Sequence, residues 1–167
     1  MGTEIIPLPS ENIRRLEDQL RERPQIEGMA TFHQFADSGK LYGRSIVIPP
    51  GVAIISKTHA RECFFVVLAG ALRVRCDDGT LITLEAGGTF VAPAGKRAVY
   101  AIPEFGPVVA FSVHCLDPAT TDLEEVEKQL VVPEFDSSGK SKDNYDFSNQ
   151  LKDPALAHAP VPRLEKE

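Results

Sequence analysis

GVAIISKTHARECFFVVLAG, residues 51–70, and GGTFVAPAGKRAVYAI, residues 87–102, decide the fold of this 167-residue chain. Each holds apolar runs of four to eight residues, rich in β-branched and aromatic types and bounded by Gly or Pro. Such runs are too short for helices and read as strands. Working outward, the same pattern extends from Met29 to His114: TFHQF, LYGRSIVI, VAIIS, CFFVVLAG, ALRVRC, TLITL, TFVAP, RAVYAI and VVAFSVH. Turn residues separate them at Ser38-Gly39, Pro49-Pro50-Gly51, Gly70, Asp77-Asp78-Gly79, Gly87-Gly88, Pro93 to Gly95, and Pro103 to Pro107. Nine closely spaced strands predict an all-β, antiparallel sandwich or barrel.

Beyond the strands the pattern changes. Ile13, Leu16 and Leu20 recur at helical spacing after Ser10, a residue suited to an N-cap, and Arg23-Pro24 ends the run. Thr121-x-x-Glu124 reads as a capping box ahead of Leu123, Val126 and Leu130, which predicts a second short helix over 121–130. After Val132 the chain turns polar and proline-punctuated, with Phe135, Tyr145, Phe147 and Leu151 as spaced apolar anchors. On its own such a segment buries too little apolar surface to offset its ordering entropy, so it reads either as a disordered tail with incidental aromatics or as a partner-binding arm laid over a neighbouring surface. The expected organisation is an N-terminal segment with a short helix over 1–28, a barrel with a closing helix over 29–132, and an extended C-terminal arm over 133–167.

Composition narrows the function classes. The chain carries 18 Lys and Arg against 24 Asp and Glu, a net charge of -6, and no basic run long enough to offset it. That balance repels phosphate backbones and anionic lipid, so neither nucleic acid nor membrane is expected as a partner. Cys63, Cys76 and Cys115 are odd in number and form no CxxC pair, which argues against a disulfide framework or a zinc knuckle and for a reducing compartment. The first ten residues show neither a basic n-region nor a long apolar stretch, and no apolar run is long enough to span a bilayer, so a cytoplasmic protein is expected.

The two opening stretches resemble the paired motifs of the cupin superfamily. The first motif runs Gly, five residues, His-x-His, a short spacer, Glu, six residues, Gly. Here Gly51 and Gly70 stand at its ends, His59 at the second histidine, Lys57 at the first and Cys63 at the glutamate. The second motif is matched by Gly87, Pro93 and Gly95, with Ala98 at its histidine and Ile102 at its asparagine. The resemblance implies a jelly-roll barrel whose interior holds Fe, Mn, Ni or Zn through three histidines and a glutamate. With Lys57, Cys63 and Ala98 at three of those positions, the expectation is a barrel with no metal and no other cofactor. Lys57, His59 and Cys63 share strand parity, which would point all three inward as a ligand-binding trio. Each also has a plainer reading: His59 as a hydrogen-bonded core histidine, Lys57 with its stem packed at the barrel mouth, Cys63 as a small hydrophobe. His33 and His114, on the first and last strands, are further imidazoles able to join His59.

From Leu16 to Val132 the chain is also similar to small cupin-like proteins of tailed bacteriophages, through the Pro24-Gln25 segment, Ile48-Pro49-Pro50-Gly51, FFVVLAGALRV, TFVAPAGKRAVY and the CLDPATTDLEEVEKQL closing helix. That resemblance implies a non-enzymatic structural or interaction protein, such as a capsid decoration or cement component of a virion. Its partners would be further copies of itself, as a homodimer or higher homo-oligomer, together with capsid proteins, and its location the host cytoplasm or the virion. The alternative is a metal-independent cupin enzyme or small-molecule binder that uses Lys57 and His59. Glu62 has the wrong parity to orient His59 from the same strand, which weighs against acid–base chemistry there.

Overall fold

The structure, a computed structural model, describes residues 11–22 and 29–134. All nine expected strands form: β1 (Thr31–Phe35), β2 (Leu41–Ile48), β3 (Ala53–Ile55), β4 (Cys63–Ala69), β5 (Ala71–Cys76), β6 (Leu81–Glu85), β7 (Thr89–Ala92), β8 (Arg97–Ala101) and β9 (Val108–Cys115). They pair antiparallel into a five-stranded sheet, ordered β1-β2-β9-β4-β7, and a four-stranded sheet, ordered β3-β8-β5-β6. The two sheets face each other as a jelly roll. Gly70, at φ +73°, makes the tight corner between β4 and β5. A Cβ there would lie 2.6 Å from the Pro107 carbonyl oxygen, so the corner requires glycine on two counts.

Side-chain alternation along these strands builds one apolar core between the sheets. Ile48 from β2, Val67 from β4, Leu72, Val74 and Cys76 from β5, Leu84 from β6, Ala101 from β8, and Val108 and Ala110 from β9 form it. Register fixes which residues join them, because paired residues share a face. Outside the barrel lie α1 (Glu11–Arg21), which packs along β3 and buries Ile13 completely, and α2 (Leu123–Leu130). The cap of α2 sits one residue later than the capping box predicts. Asp122 is the N-cap, its carboxylate accepting from the Glu124 N–H at 2.8 Å, while the Thr120 hydroxyl accepts from the Asp122 N–H. A carboxylate both fills the Ncap geometry and answers the helix dipole, so it wins the position.

Three polar contacts fasten the periphery. The Lys96 ammonium, almost fully buried, bonds Glu17 of α1 at 2.8 Å and Glu134 at 2.9 Å, and the Thr58 hydroxyl also donates to Glu134. The described chain is thus held to the barrel through Glu134. Phe135, Tyr145, Phe147 and Leu151, the anchors of the expected arm, lie outside the described residues.

Candidate functional site

The interior is polar at one end. On β2 the inward side chains pass from Ile48 and Ile46 to Arg44 and Tyr42; on β9, from Val108 and Ala110 to Ser112 and His114. β4 contributes Cys63, which is buried. β8 contributes Arg97, whose register partner is the core residue Cys76, and only 6% of Arg97 is exposed. His59 comes from the loop between β3 and β4. Its backbone exchanges hydrogen bonds with Gly95, the N–H donating at 3.0 Å and the carbonyl accepting at 2.8 Å, and it also bridges to Val131 just past α2.

Within this group the contacts are specific. His59 Nδ1 lies 2.9 Å from the Lys57 carbonyl, an acceptor, so Nδ1 carries the proton. The His59 and His114 rings stack, with centroids 6.0 Å apart and planes 9° from parallel. His114 Nε2 is 3.1 Å from the Ser112 hydroxyl, while its Nδ1 is buried with no hydrogen-bond partner. Tyr42 tilts against His114 from the other side and shares a 2.6 Å hydrogen bond with His33. Arg97 donates through one terminal nitrogen to the Pro93 carbonyl at 2.8 Å, and its Nε has no partner.

Burial and two guanidiniums set the protonation states. Burial, then the charges of Arg97 and Arg44, hold His59 well below the ordinary imidazole range. Burial, then Arg44 and Arg97, pull His114 down to about 3. Both rings are neutral at physiological pH. Burial likewise pushes the Cys63 thiol up, against the opposing pull of Arg97, which keeps it protonated and a poor nucleophile.

Helix α2 closes this end. Leu123, Val126 and Leu130 pack with Tyr42, Phe35 and Leu116 as a second, smaller core. Glu127, on the same helix, pairs with the Lys57 ammonium. The Leu130 carbonyl accepts from the Ala60 N–H at 2.8 Å, and Val132 N–H donates to the Thr58 carbonyl at 2.9 Å. Between the helix and the barrel remains a cavity of about 20 Å³ lined by Tyr42, Arg44, His59, His114 and Glu127, room for about one water.

This donor set does not fit the divalent metals that the sequence resemblance implies. Among the described residues no three His, Cys, Asp or Glu side chains gather as ligands. The two imidazoles and the protonated thiol are flanked by two guanidiniums, whose charge opposes a second cation in the same low-dielectric space.

The structure sorts the residues expected from sequence. His59 and Cys63 both lie in the barrel interior, near Arg97. Lys57 does not join them on a common strand face, because β3 ends at Ile55 and β4 begins at Cys63, so residues 56–62 form a loop and strand parity has no meaning across it. Its ammonium turns to Glu127 instead. The position assigned to Ala98 also needs correction. Ala98 pairs with the exposed Arg75 and lies on the outer face, and the inward residue is its neighbour Arg97. Of the other two histidines, His114 joins His59, while His33 bonds Tyr42. The sequence reading missed Arg44, Arg97 and Glu127. The first two carried a usable signal: Arg44 alternates with Ile46 and Ile48, and Arg97 with Val99 and Ala101, so each sits on the apolar parity of its strand.

The family model for the cupin domain matches residues 44–114. No curated protein matches the chain. Similar solved structures include the cupin domain of an XRE family transcriptional regulator from Enterobacter cloacae, at 24% identity over 52% of this chain and 95% of that one, with a TM-score of 0.44. The DMSP lyase of Ruegeria pomeroyi matches at 18% identity over 57% of this chain and 50% of its own, with a TM-score of 0.47. A protein with a double-stranded β-helix domain from Klebsiella pneumoniae matches at 19% identity over 59% and 85%, also with a TM-score of 0.47. Among the described residues no helix is long and apolar enough to cross a membrane.

Proposed function

Starting from a cupin domain over residues 44–114, we propose that the chain is a non-enzymatic interaction protein that associates with itself through the outer face of its five-stranded sheet. One observation carries this reading. The outward positions of that sheet, by register, are Phe32, Gln34, Leu41, Gly43, Ser45 and Val47, then Val109, Phe111, Val113 and Cys115, then Phe64, Val66 and Ala69 with the exposed Leu68 at the irregularity between them, and finally Thr89 and Val91. None is charged, in a chain one-quarter charged overall. Phe64 is 61% exposed and its register partner Val91 is 49% exposed, which leaves a contiguous apolar patch against water. The outer face of the other sheet, by contrast, carries Arg73, Arg75 and Glu85.

A second copy of the chain is the occupant that suits such a face, because two uncharged surfaces meet about a two-fold axis without desolvating charge. Five strands at about 4.8 Å spacing, with β2 and β9 eight residues long, give a face of at most about 650 Å² in projection. That is less than the roughly 800 Å² per partner of a standard interface. The polar arm beyond Glu134, with its four spaced anchors, is the segment we assign to supply the remainder. The assembly we favour is a tailed-phage particle in which the protein decorates or cements the capsid; the sequence resemblance supports that choice.

Sedimentation tests the reading. The full chain should sediment as a dimer or larger at micromolar concentration, Phe64→Glu as a monomer with an unchanged melting transition, and a chain ending at Glu134 as a weaker dimer. A full-length protein that is monomeric at high micromolar concentration overturns self-association. Absence of the protein from purified particles by mass spectrometry overturns the virion role alone.

A further inference from the structure

We propose that Lys96 is a clasp that couples the docking of α1 to the closure of the barrel mouth by α2, so that whatever releases α1 also loosens the closing helix. The inference goes beyond self-association and does not depend on it.

The closing helix is held by a short strap. Just past α2, Val131 bridges to His59, the Val132 N–H donates to the Thr58 carbonyl at 2.9 Å, and the Leu130 carbonyl accepts from the Ala60 N–H at 2.8 Å. His59 in turn exchanges backbone hydrogen bonds with Gly95, so residues 58–60 form the middle row of a small antiparallel ladder. Lys96 follows Gly95 in the turn between β7 and β8. Its backbone is fixed to Asp77, whose carboxylate accepts from the Lys96 N–H at 2.5 Å and whose own N–H donates to the Lys96 carbonyl at 3.1 Å. From that fixed point the ammonium reaches Glu134 at 2.9 Å, the carboxylate to which the Thr58 hydroxyl also donates.

The same ammonium holds α1. Ile13, Leu16, Glu17 and Leu20 recur at helical spacing and are the buried and half-buried positions of that helix, while Arg14, Arg15, Asp18 and Gln19 are exposed. A carboxylate on a docking stripe needs a cation to answer it, and Lys96 supplies one at 2.8 Å. A helix of 11 residues is too short to persist in water alone, so α1 folds only while docked. Docked, it shields the Lys96 side chain, which is 4% exposed.

Two effects compete for the sign of the coupling. Two carboxylates on one ammonium repel each other, which favours the departure of one when the other binds. Excluding water acts the opposite way, because the attraction between Lys96 and Glu134 grows as the effective dielectric falls. Both attractions act at hydrogen-bond distance, where they outweigh the repulsion, so the shielded arrangement is the tighter one. Departure of α1 lets water reach the ammonium, turns its pair with Glu134 into a screened surface contact, and loosens the strap and α2 with it.

Amide hydrogen exchange on the full chain tests the coupling. Glu17→Gln keeps the shape of the side chain and removes its charge. The α1 amides should then exchange faster, and the strap amides of Ala60 and Val132 should follow by at least about fivefold. Coupling between two sites is reciprocal, so Glu134→Gln should speed the α1 amides as well. Val67 and Ala101, whose amides are bonded within the barrel, should keep wild-type rates in both variants. Glu11→Gln, exposed at the start of the same helix, should leave strap and core unchanged. The proposal is overturned if Glu17→Gln frees α1 while Ala60 and Val132 stay within about twofold of wild type, since the helix and the strap then open independently. Slower exchange at Ala60 and Val132 overturns it too, because repulsion then outweighs shielding, and so does an α1 that Glu17→Gln leaves unmoved. The oligomeric state, read separately by sedimentation, bears on none of these outcomes.

Discussion

The two halves of the barrel interior are built from the same strands yet obey opposite rules. Toward one end, Ile48, Val67, Leu72, Val74, Val108 and Ala110 interdigitate with nothing to hydrogen-bond. Toward the other, His59, Arg97, Ser112 and His114 are buried and Arg44 half-buried at a cost that hydrogen bonds offset only in part, leaving His114 Nδ1 and Arg97 Nε unpaired. The difference teaches that the apolar half carries the stability of the fold, while the polar half is maintained against stability and closed by a helix with its own small core. A barrel divided in this way keeps the residues that hold the sheets together apart from the polar groups of the site.

The sharpest way to break the comparison is to cut into the apolar half. Leu72 is fully buried at the centre of the core, so Leu72→Ala should lower the unfolding free energy by about 3 kcal/mol, measured by chemical denaturation. A loss under about 1 kcal/mol would show that the stability lies elsewhere.

Acid should act next, and only through the polar half. The folded-state values of His59 and His114 lie below the unfolded imidazole value near 6.5, so the unfolded chain binds more protons as pH falls. The stability these neutral rings confer is complete above about pH 6.5 and declines as pH drops through that value toward the folded ones. With His114 down at about 3, it alone should remove roughly 2 kcal/mol between pH 6.5 and pH 5. Replacing both rings with glutamine should flatten the profile in that window; an unchanged profile would mean that other groups control it.

The smallest effect is expected from replacing the buried cation. Arg97→Met keeps much of the volume, removes a guanidinium with no carboxylate partner among the described residues, and leaves the Pro93 carbonyl and the Cys63 thiol without it. Its stability change should stay within about 1.5 kcal/mol of wild type in either direction, well below that of Leu72→Ala. A larger loss would put Arg97 among the structural residues and erase the contrast between the halves.

How much of this was legible beforehand can be followed residue by residue. Glycine and proline punctuation located all nine strands, and the Gly51, Gly70, Gly87, Pro93 and Gly95 framework pointed to the barrel, because those residue types are demanded by local backbone geometry. His59 and Cys63 were found in the interior because their spacing from that framework survived folding. Lys57 and Ala98 were assigned the wrong surroundings because motif spacing does not fix where a strand starts or ends: Lys57 falls in the loop between β3 and β4, where strand parity does not apply, and Ala98 is one residue off the inward register of β8. Glu127 was invisible as a site residue, since its nearest ligand-like neighbour, Lys57, is 70 positions away in the chain.

The sequence by itself determined an antiparallel jelly roll with two short flanking helices, and an acidic chain. Those properties follow from local periodicity, turn chemistry and residue counts, which need no knowledge of what touches what. Only the tertiary structure decided that α2 lies over the mouth, that Arg97 rather than Ala98 faces inward, and that His59 and His114 stack within reach of the charges of Arg44 and Arg97. Each of these depends on register and on contacts between segments far apart in the chain, and such contacts are settled by packing the whole barrel at once.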